Sequence, residues 1–181
     1  MGVAQALTAI VLGLAAPTTA SHSLASDASA LQAVAAACSG AGSSAGGTHA
    51  ELEAMYCGIN VVRRSYGLAP VRGSAALNRS SALKARAVRR CGFSHTPCGM
   101  SFASTFRQAG YFPARSFGEN LAWGEGGIGS PLSTLGLWLN SPPHRANLLR
   151  RGWRDLGIAV QRGSIFGRGS VSLWVTEFGR R

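Results

Sequence analysis

The chain has 181 residues, 46% of them hydrophobic and 14% charged, which is apolar enough for one domain with a packed core and excludes extended disorder. Its formal net charge is +11, and 17 of the 18 cations are arginine. Such a balance attracts phosphate groups, acidic polymers, lipid headgroups or nucleic acid. It also fits the codon bias of a GC-rich genome, and neither zinc-finger spacing nor an aromatic-rich RNA-binding signature is present, so no specific nucleic-acid partner is expected.

Val3 to Ala16 is an apolar run broken by Gln5, Thr8 and Gly13, followed by Pro17-Thr18-Thr19-Ala20. Residues 1–20 read as a secretory signal peptide, although the run lacks a basic start. Residues 21–49 read as an Ala/Ser/Gly-rich arm and linker, with a short helix over Leu31 to Ala37, a flexible stretch over Ser39 to Thr48, and His22 and His49 as exposed bystanders. Residues 50–181 carry the domain. Leu52, Met55, Tyr56, Ile59, Val62 and Tyr66 recur at helical spacing, and Gly67 is placed to stop that helix. Ser74 caps a second helix over Ala75 to Arg90, with Leu77, Leu83 and Val88 inward and Arg79, Lys84, Arg86, Arg89 and Arg90 on its wet side.

Cys91 to Met100 forms a loop holding His95, and Ser101 starts a short helix ended by Gly110. A strand is expected near Glu119, then a glycine-rich turn over Glu125 to Gly129. Ser130-Pro131 opens a helix burying Leu135, Trp138 and Leu139, and Ser141-Pro142-Pro143 breaks it before a turn carrying His144. Leu156, Ile158 and Val160 alternate as in a strand, Gly163 to Gly169 makes a hairpin loop, and Val171 to Phe178 closes the sheet. The fold class is α+β, with helices flanking a small antiparallel sheet.

The four cysteines, Cys38, Cys57, Cys91 and Cys98, lack metal-site pairing, and an even number behind an export signal suggests disulfides. Of three possible connectivities, Cys91–Cys98 with Cys38–Cys57 is favoured: the first closes a short loop around His95, and the second ties the arm to the first helix of the domain.

A set of short stretches resembles the CAP superfamily (cysteine-rich secretory proteins, antigen 5 and pathogenesis-related proteins; the SCP domain), in its bacterial branch. They are Ile59-Asn60-Val61-Val62-Arg63 with Gly67-Leu68-Ala69-Pro70-Val71, Phe93-Ser94-His95, Ala109-Gly110-Tyr111, and Gly118-Glu119-Asn120-Leu121-Ala122. Further along come Trp138 through Leu149, Gly157-Ile158-Ala159-Val160, and Trp174 with Phe178. The resemblance implies an α-β-α sandwich with a surface cleft lined by two histidines and two acids. It assigns His95, Glu119 and His144 to that cleft and puts Ser141 where the second acid would stand.

Several uses of these residues stay open. His95 and His144 could hold zinc or another divalent cation in an open site, with Glu119 orienting an imidazole. A histidine–glutamate pair could serve a peptidase-like hydrolase with Ser94, Ser141 or water as nucleophile, although no serine stands in an activating motif. The cleft could instead bind a small ligand or lipid, with Phe112, Phe117 or Trp123 lining an apolar groove. A structural role for each residue is the alternative, with Glu119 capping a turn. Asn120 and Asn147 read as loop-pinning amides, and Arg145 as the partner of Asp155 or Glu177. The expected protein is a secreted or envelope-associated monomer whose partner is an anionic envelope component, a lipid or a small ligand.

Overall fold

The computed structural model describes residues 18–181, with side chains from Asp27 onward. The leader expected over residues 1–20 and the side chain of His22 lie outside the described residues, except that Thr18–Ala20 have helical backbone. Helix α1 spans Thr18–Ala37 and contains the short helix expected at Leu31–Ala37. Its Ala30 and Val34 are fully buried in the main core. The stretch after it is not a free linker: Ala41 is buried, and its carbonyl accepts from the Leu132 N–H at 2.8 Å.

Helix α2, Gly47–Ser65, buries Met55, Ile59 and Val62 on one stripe. Gly67 takes φ +65° past its end, a region costly for any side chain but open to glycine, and the Leu68 N–H turns back to the Arg63 carbonyl. Strand β1, Arg72–Gly73, leads through the cap at Ser74 into helix α3, Ala75–Cys91. Here the structure departs from the expected face. Leu77, Lys84 and Val88 are fully buried, whereas Leu83 is only half-buried. The spacing of seven and then four residues puts Lys84 on the stripe shared by Leu77 and Val88.

Helix α4, Ser104–Gln108, is followed by strand β2, Ser116–Glu125, and a single 3₁₀ turn over Gly126–Gly129. Helix α5, Pro131–Leu139, starts at the Ser130 cap, and helix α6, Pro142–Leu148, follows the proline pair. Strands β3, Asp155–Ile165, and β4, Arg168–Arg180, form a hairpin turning on Phe166 and Gly167, both at positive φ.

The strands lie in the order β1-β3-β4-β2, antiparallel except for β1 beside β3. One sheet face, with Leu156, Ile158, Trp174 and Phe178, packs under α1, α2 and α5. The other face, with Leu121, Leu173 and Val175, packs on Ala85 and Val88 of α3. The expected α-β-α sandwich is therefore present, with β2 as an outer strand between the two helical layers. Both disulfides form as expected, Cys38–Cys57 and Cys91–Cys98.

Candidate functional site

Strand alternation turns Glu119 toward the α3 layer and Asn120 toward the opposite one. The Glu119 side chain is fully buried, and Glu177 stands directly across from it on β4, also fully buried. Two facing carboxylates out of water need compensation. Lys84, the chain's one lysine, supplies it. Its Nζ lies 3.4 Å from Glu119 Oε2 and donates to the His95 carbonyl at 2.6 Å. Thr105 Oγ1 donates to Glu177 Oε1 at 3.2 Å.

Burial is the main reason the Glu177 carboxyl is pushed up to about 8; the Glu119 charge adds to it, against Lys84 and the hydroxyls of Ser80 and Thr105. Glu177 therefore keeps its proton at neutral pH. Within this cluster Lys84 then faces one charged carboxylate, that of Glu119, and one neutral acid. Oε2 of each glutamate is buried without a hydrogen-bond partner among the described residues. A proton on Glu177 gives this pair a donor that two carboxylates would lack.

His95 projects from the loop that the Cys91–Cys98 disulfide closes, just past the end of α3. Its Nδ1 lies 2.7 Å from Glu119 Oε1, and about half of its side chain (49%) is exposed. The carboxylate thus fixes the ring through Nδ1 and leaves Nε2 as the nitrogen that Glu119 does not engage.

His144 comes from the other layer, on the first turn of α6. That turn is pinned from beneath: Asn120 Nδ2 donates to the His144 carbonyl at 3.0 Å, and Asn147 Nδ2 donates to Asn120 Oδ1 at 2.9 Å. Burial, and then the charge of His95, holds the His144 pKa below the ordinary imidazole value, so this ring stays neutral at physiological pH. Glu119 and the two histidines are thus brought to the β2 edge from three separate elements.

A groove of about 280 Å³ runs beside His144 along β2, lined by Phe93, Leu121, Trp123, Leu137, Ser141 and neighbouring atoms of Ala122 and Trp138. Phe93 and Leu137 are 48% and 46% exposed and line the same groove. Of the aromatics expected to line such a groove, Trp123 does. Phe112 and Phe117 do not; Phe117 packs on Phe102 and Phe106 in a separate cluster, with Phe112 edge-on to it.

Other sequence expectations shift as well. Arg145 pairs with Asp27, not with Asp155 or Glu177, and the Tyr66 hydroxyl donates to the same Asp27. Asp155 accepts from the Tyr111 hydroxyl at 2.7 Å. Ser94 Oγ accepts from the Thr96 N–H, and neither imidazole is hydrogen-bonded to a serine or threonine hydroxyl among the described residues. No group of three or more His, Cys, Asp and Glu side chains suited to a metal gathers among the described residues.

Two contributors were missed from the sequence. Lys84 was legible in the Leu77/Lys84/Val88 stripe. Glu177 was marked by an acid standing in the run Leu173-Trp174-Val175-Thr176-Glu177-Phe178, where every position is buried.

Residues 58–177 match the family model described as the cysteine-rich secretory protein family, CAP. No curated protein matches the chain. Among solved structures, the chain is similar to an extracellular protein containing an SCP domain from Bacillus anthracis (TM-score 0.60, 19% identity, 74% of this chain and 41% of that one). It is also similar to an outer surface protein from Borrelia burgdorferi (TM-score 0.61, 20% identity, 72% and 92%). A cysteine-rich secretory protein from Staphylococcus aureus aligns at TM-score 0.57 and 16% identity over 76% and 40%. The chain thus spans about two fifths of the Bacillus and Staphylococcus chains, and at these identities the likeness is one of fold.

Proposed function

The chain belongs to the cysteine-rich secretory protein (CAP) family, and from that premise we propose that it is an exported, monomeric binding protein whose cleft at the β2 edge takes a small amphipathic ligand. The polar head of the ligand sits on His95 Nε2 and His144, and its apolar part lies along Phe93, Trp123 and Leu137. One observation carries this reading: a neutral, partly buried imidazole stands at the end of a groove whose large apolar side chains face water. Imidazoles give direction and the groove gives apolar contact, which is the usual division of labour in a ligand site. The volume suits a short or single-chain ligand. Two disulfides fit an oxidising, extracytoplasmic setting, and the extracellular Bacillus and outer-surface Borrelia relatives support the same location.

A divalent cation such as zinc is a second occupant, favoured by one feature. Glu119 holds His95 through Nδ1, the arrangement in which metal-binding imidazoles are commonly oriented. Two imidazoles would leave the remaining coordination positions to water or to the ligand head.

Titration with a lysophospholipid and with a medium-chain fatty acid, followed by tryptophan emission, tests the first reading. Saturable change is expected, weakened at least about tenfold in Phe93→Ser/Leu137→Ser as apolar contact is lost and also weakened in His144→Ala. Unsaturable change, or equal binding by the variants, sinks it. Calorimetric titration with zinc alone tests the second; heat that persists unchanged in His95→Ala/His144→Ala rules the imidazoles out as ligands.

A further inference from the structure

The sheet has two ends, and arginines are treated differently at each. At the hairpin end, Arg162 pairs with Glu51 at 2.6 Å and Arg168 with Glu125 at 3.0 Å. At the other end, register places Arg72 of β1 opposite Asp155 of β3, Asp155 opposite Gly179 of β4, and Arg180 of β4 opposite Ser116 of β2. Arg154 and Arg115 stand one step before β3 and β2, so every strand brings an arginine to this end, with Arg181 and Arg151 beside them. All six of Arg72, Arg115, Arg151, Arg154, Arg180 and Arg181 are exposed. None of them forms an ion pair among the described residues.

The guanidinium groups of Arg154 and Arg181 are tied to backbone carbonyls, of Arg151 and Trp153 for the first and of Gly110 and Tyr111 for the second. Those of Arg72, Arg115, Arg151 and Arg180 make no side-chain hydrogen bond, ion pair or ring contact among the described residues. The acid in the row, Asp155, spends Oδ2 on Tyr111. Compositional bias would scatter arginines. Arg64, Arg86 and Arg89 on the helices are likewise exposed and outside the ion pairs among the described residues, but only here do neighbouring strands bring their arginines level along one edge, where like charges repel.

We propose that this end of the sheet is a docking face for an anionic phospholipid bilayer, engaged by the free guanidinium forks of Arg72, Arg115 and Arg180. The row crosses four strands, roughly 14 Å at ordinary strand spacing, and lies along the blunt end of the sheet, a shape that meets a plane of headgroup phosphates. Guanidinium forks suit phosphate oxygens. Arg150 and Arg181 have their guanidinium groups over Trp153 and Tyr111. Both rings are fully buried, so neither is an exposed platform of the kind that single-stranded nucleic acid stacks on.

The test is co-sedimentation of the whole chain with phosphatidylcholine vesicles, with and without phosphatidylglycerol. Binding is expected only with phosphatidylglycerol, and it should fall as salt rises. Arg72→Gln/Arg115→Gln/Arg180→Gln should lose roughly a hundredfold in partitioning, as three surface arginines at an anionic membrane imply. Arg64→Gln/Arg86→Gln/Arg89→Gln removes the same charge from α2 and α3 and should lose no more than about fivefold. Equal loss in both variants, or binding to phosphatidylcholine alone, overturns the proposal. Tighter binding to duplex DNA than to vesicles at equal phosphate assigns the face to nucleic acid and overturns it too. The cleft residues are untouched in both variants, so this outcome is separable from that of the ligand titration.

Discussion

Glu177 holds a proton in the folded protein that it releases when the chain unfolds. Its folded-state value of about 8 stands above the ordinary carboxyl value of 4.5, because burial disfavours the charge. Between those two values the folded chain binds the proton and the unfolded chain does not. This group therefore makes stability fall as pH rises from about 4.5 to about 8, and adds no further slope above that. Glu177→Gln keeps the volume and an acceptor for Thr105, but has no proton to lose. Melting temperatures should match the wild type near pH 5, and the variant should melt about 3 °C or more higher near pH 9. Parallel curves at the two pH values would show that Glu177 is not the group that titrates. Glu119, beside it, was legible from the sequence as a site residue because it sits in a recognisable stretch. Lys84 and Glu177 each carried a local signal, a helical stripe and an apolar run, but their pairing with Glu119 did not, because it comes from a cross-strand register and from the seating of α3 on the sheet.

Between elements, the contact that sets the site is α3 against the sheet. Gly157 of β3 lies so close beneath Leu77 that a Cβ would collide with the Leu77 backbone carbonyl, which cannot swing aside. The absence of a side chain there lets α3 sit low enough for Lys84 to reach Glu119. Gly157→Ala should destabilise the fold by about 3 kcal/mol through forced displacement of the helix, lowering Tm by roughly 10 °C for a chain of this size. Chemical denaturation checks it; a loss below about 0.5 kcal/mol, as at an ordinary surface position, would show that α3 moves freely. On the opposite layer, fully buried Arg63 fastens the end of α2, donating to the carbonyls of Ala69, Leu148 and Arg150. That arginine ties the end of the helix carrying His144 to the core. The expected helices at Ala50–Tyr66, Ala75–Arg90 and Ser130–Leu139 all form, since apolar spacing and capping residues are local information. Residues 21–49 read as an arm because Ala, Ser and Gly advertise no stripe. Yet Ala30, Val34 and Ala41 are buried, since small side chains suffice where α1 lies close to α2 and α5.

For the whole molecule, the N-terminal helix is held by a covalent bond and by charge. Cys38–Cys57 joins the end of α1 to α2, and Asp27 reaches Arg145 and Tyr66. Removing the bond by Cys38→Ser/Cys57→Ser should cost about 3 kcal/mol, the loop-closure value for a link of this length. Amide exchange in α1 should rise more than in β3 and β4. Uniform acceleration across both would mean that α1 unfolds only with the whole domain. The overall architecture was open to sequence reading because order and type of elements are written in local patterns. The two-ended distribution of ion pairs was not, because it depends on which strand termini the register brings level.

A single ε-amine exists in this chain, and the fold hides it completely. Amine-directed acylating reagents and lysine-specific endoproteinases therefore find no lysine target on the native protein, and modification of Lys84 becomes a stopwatch for opening of the α3 layer.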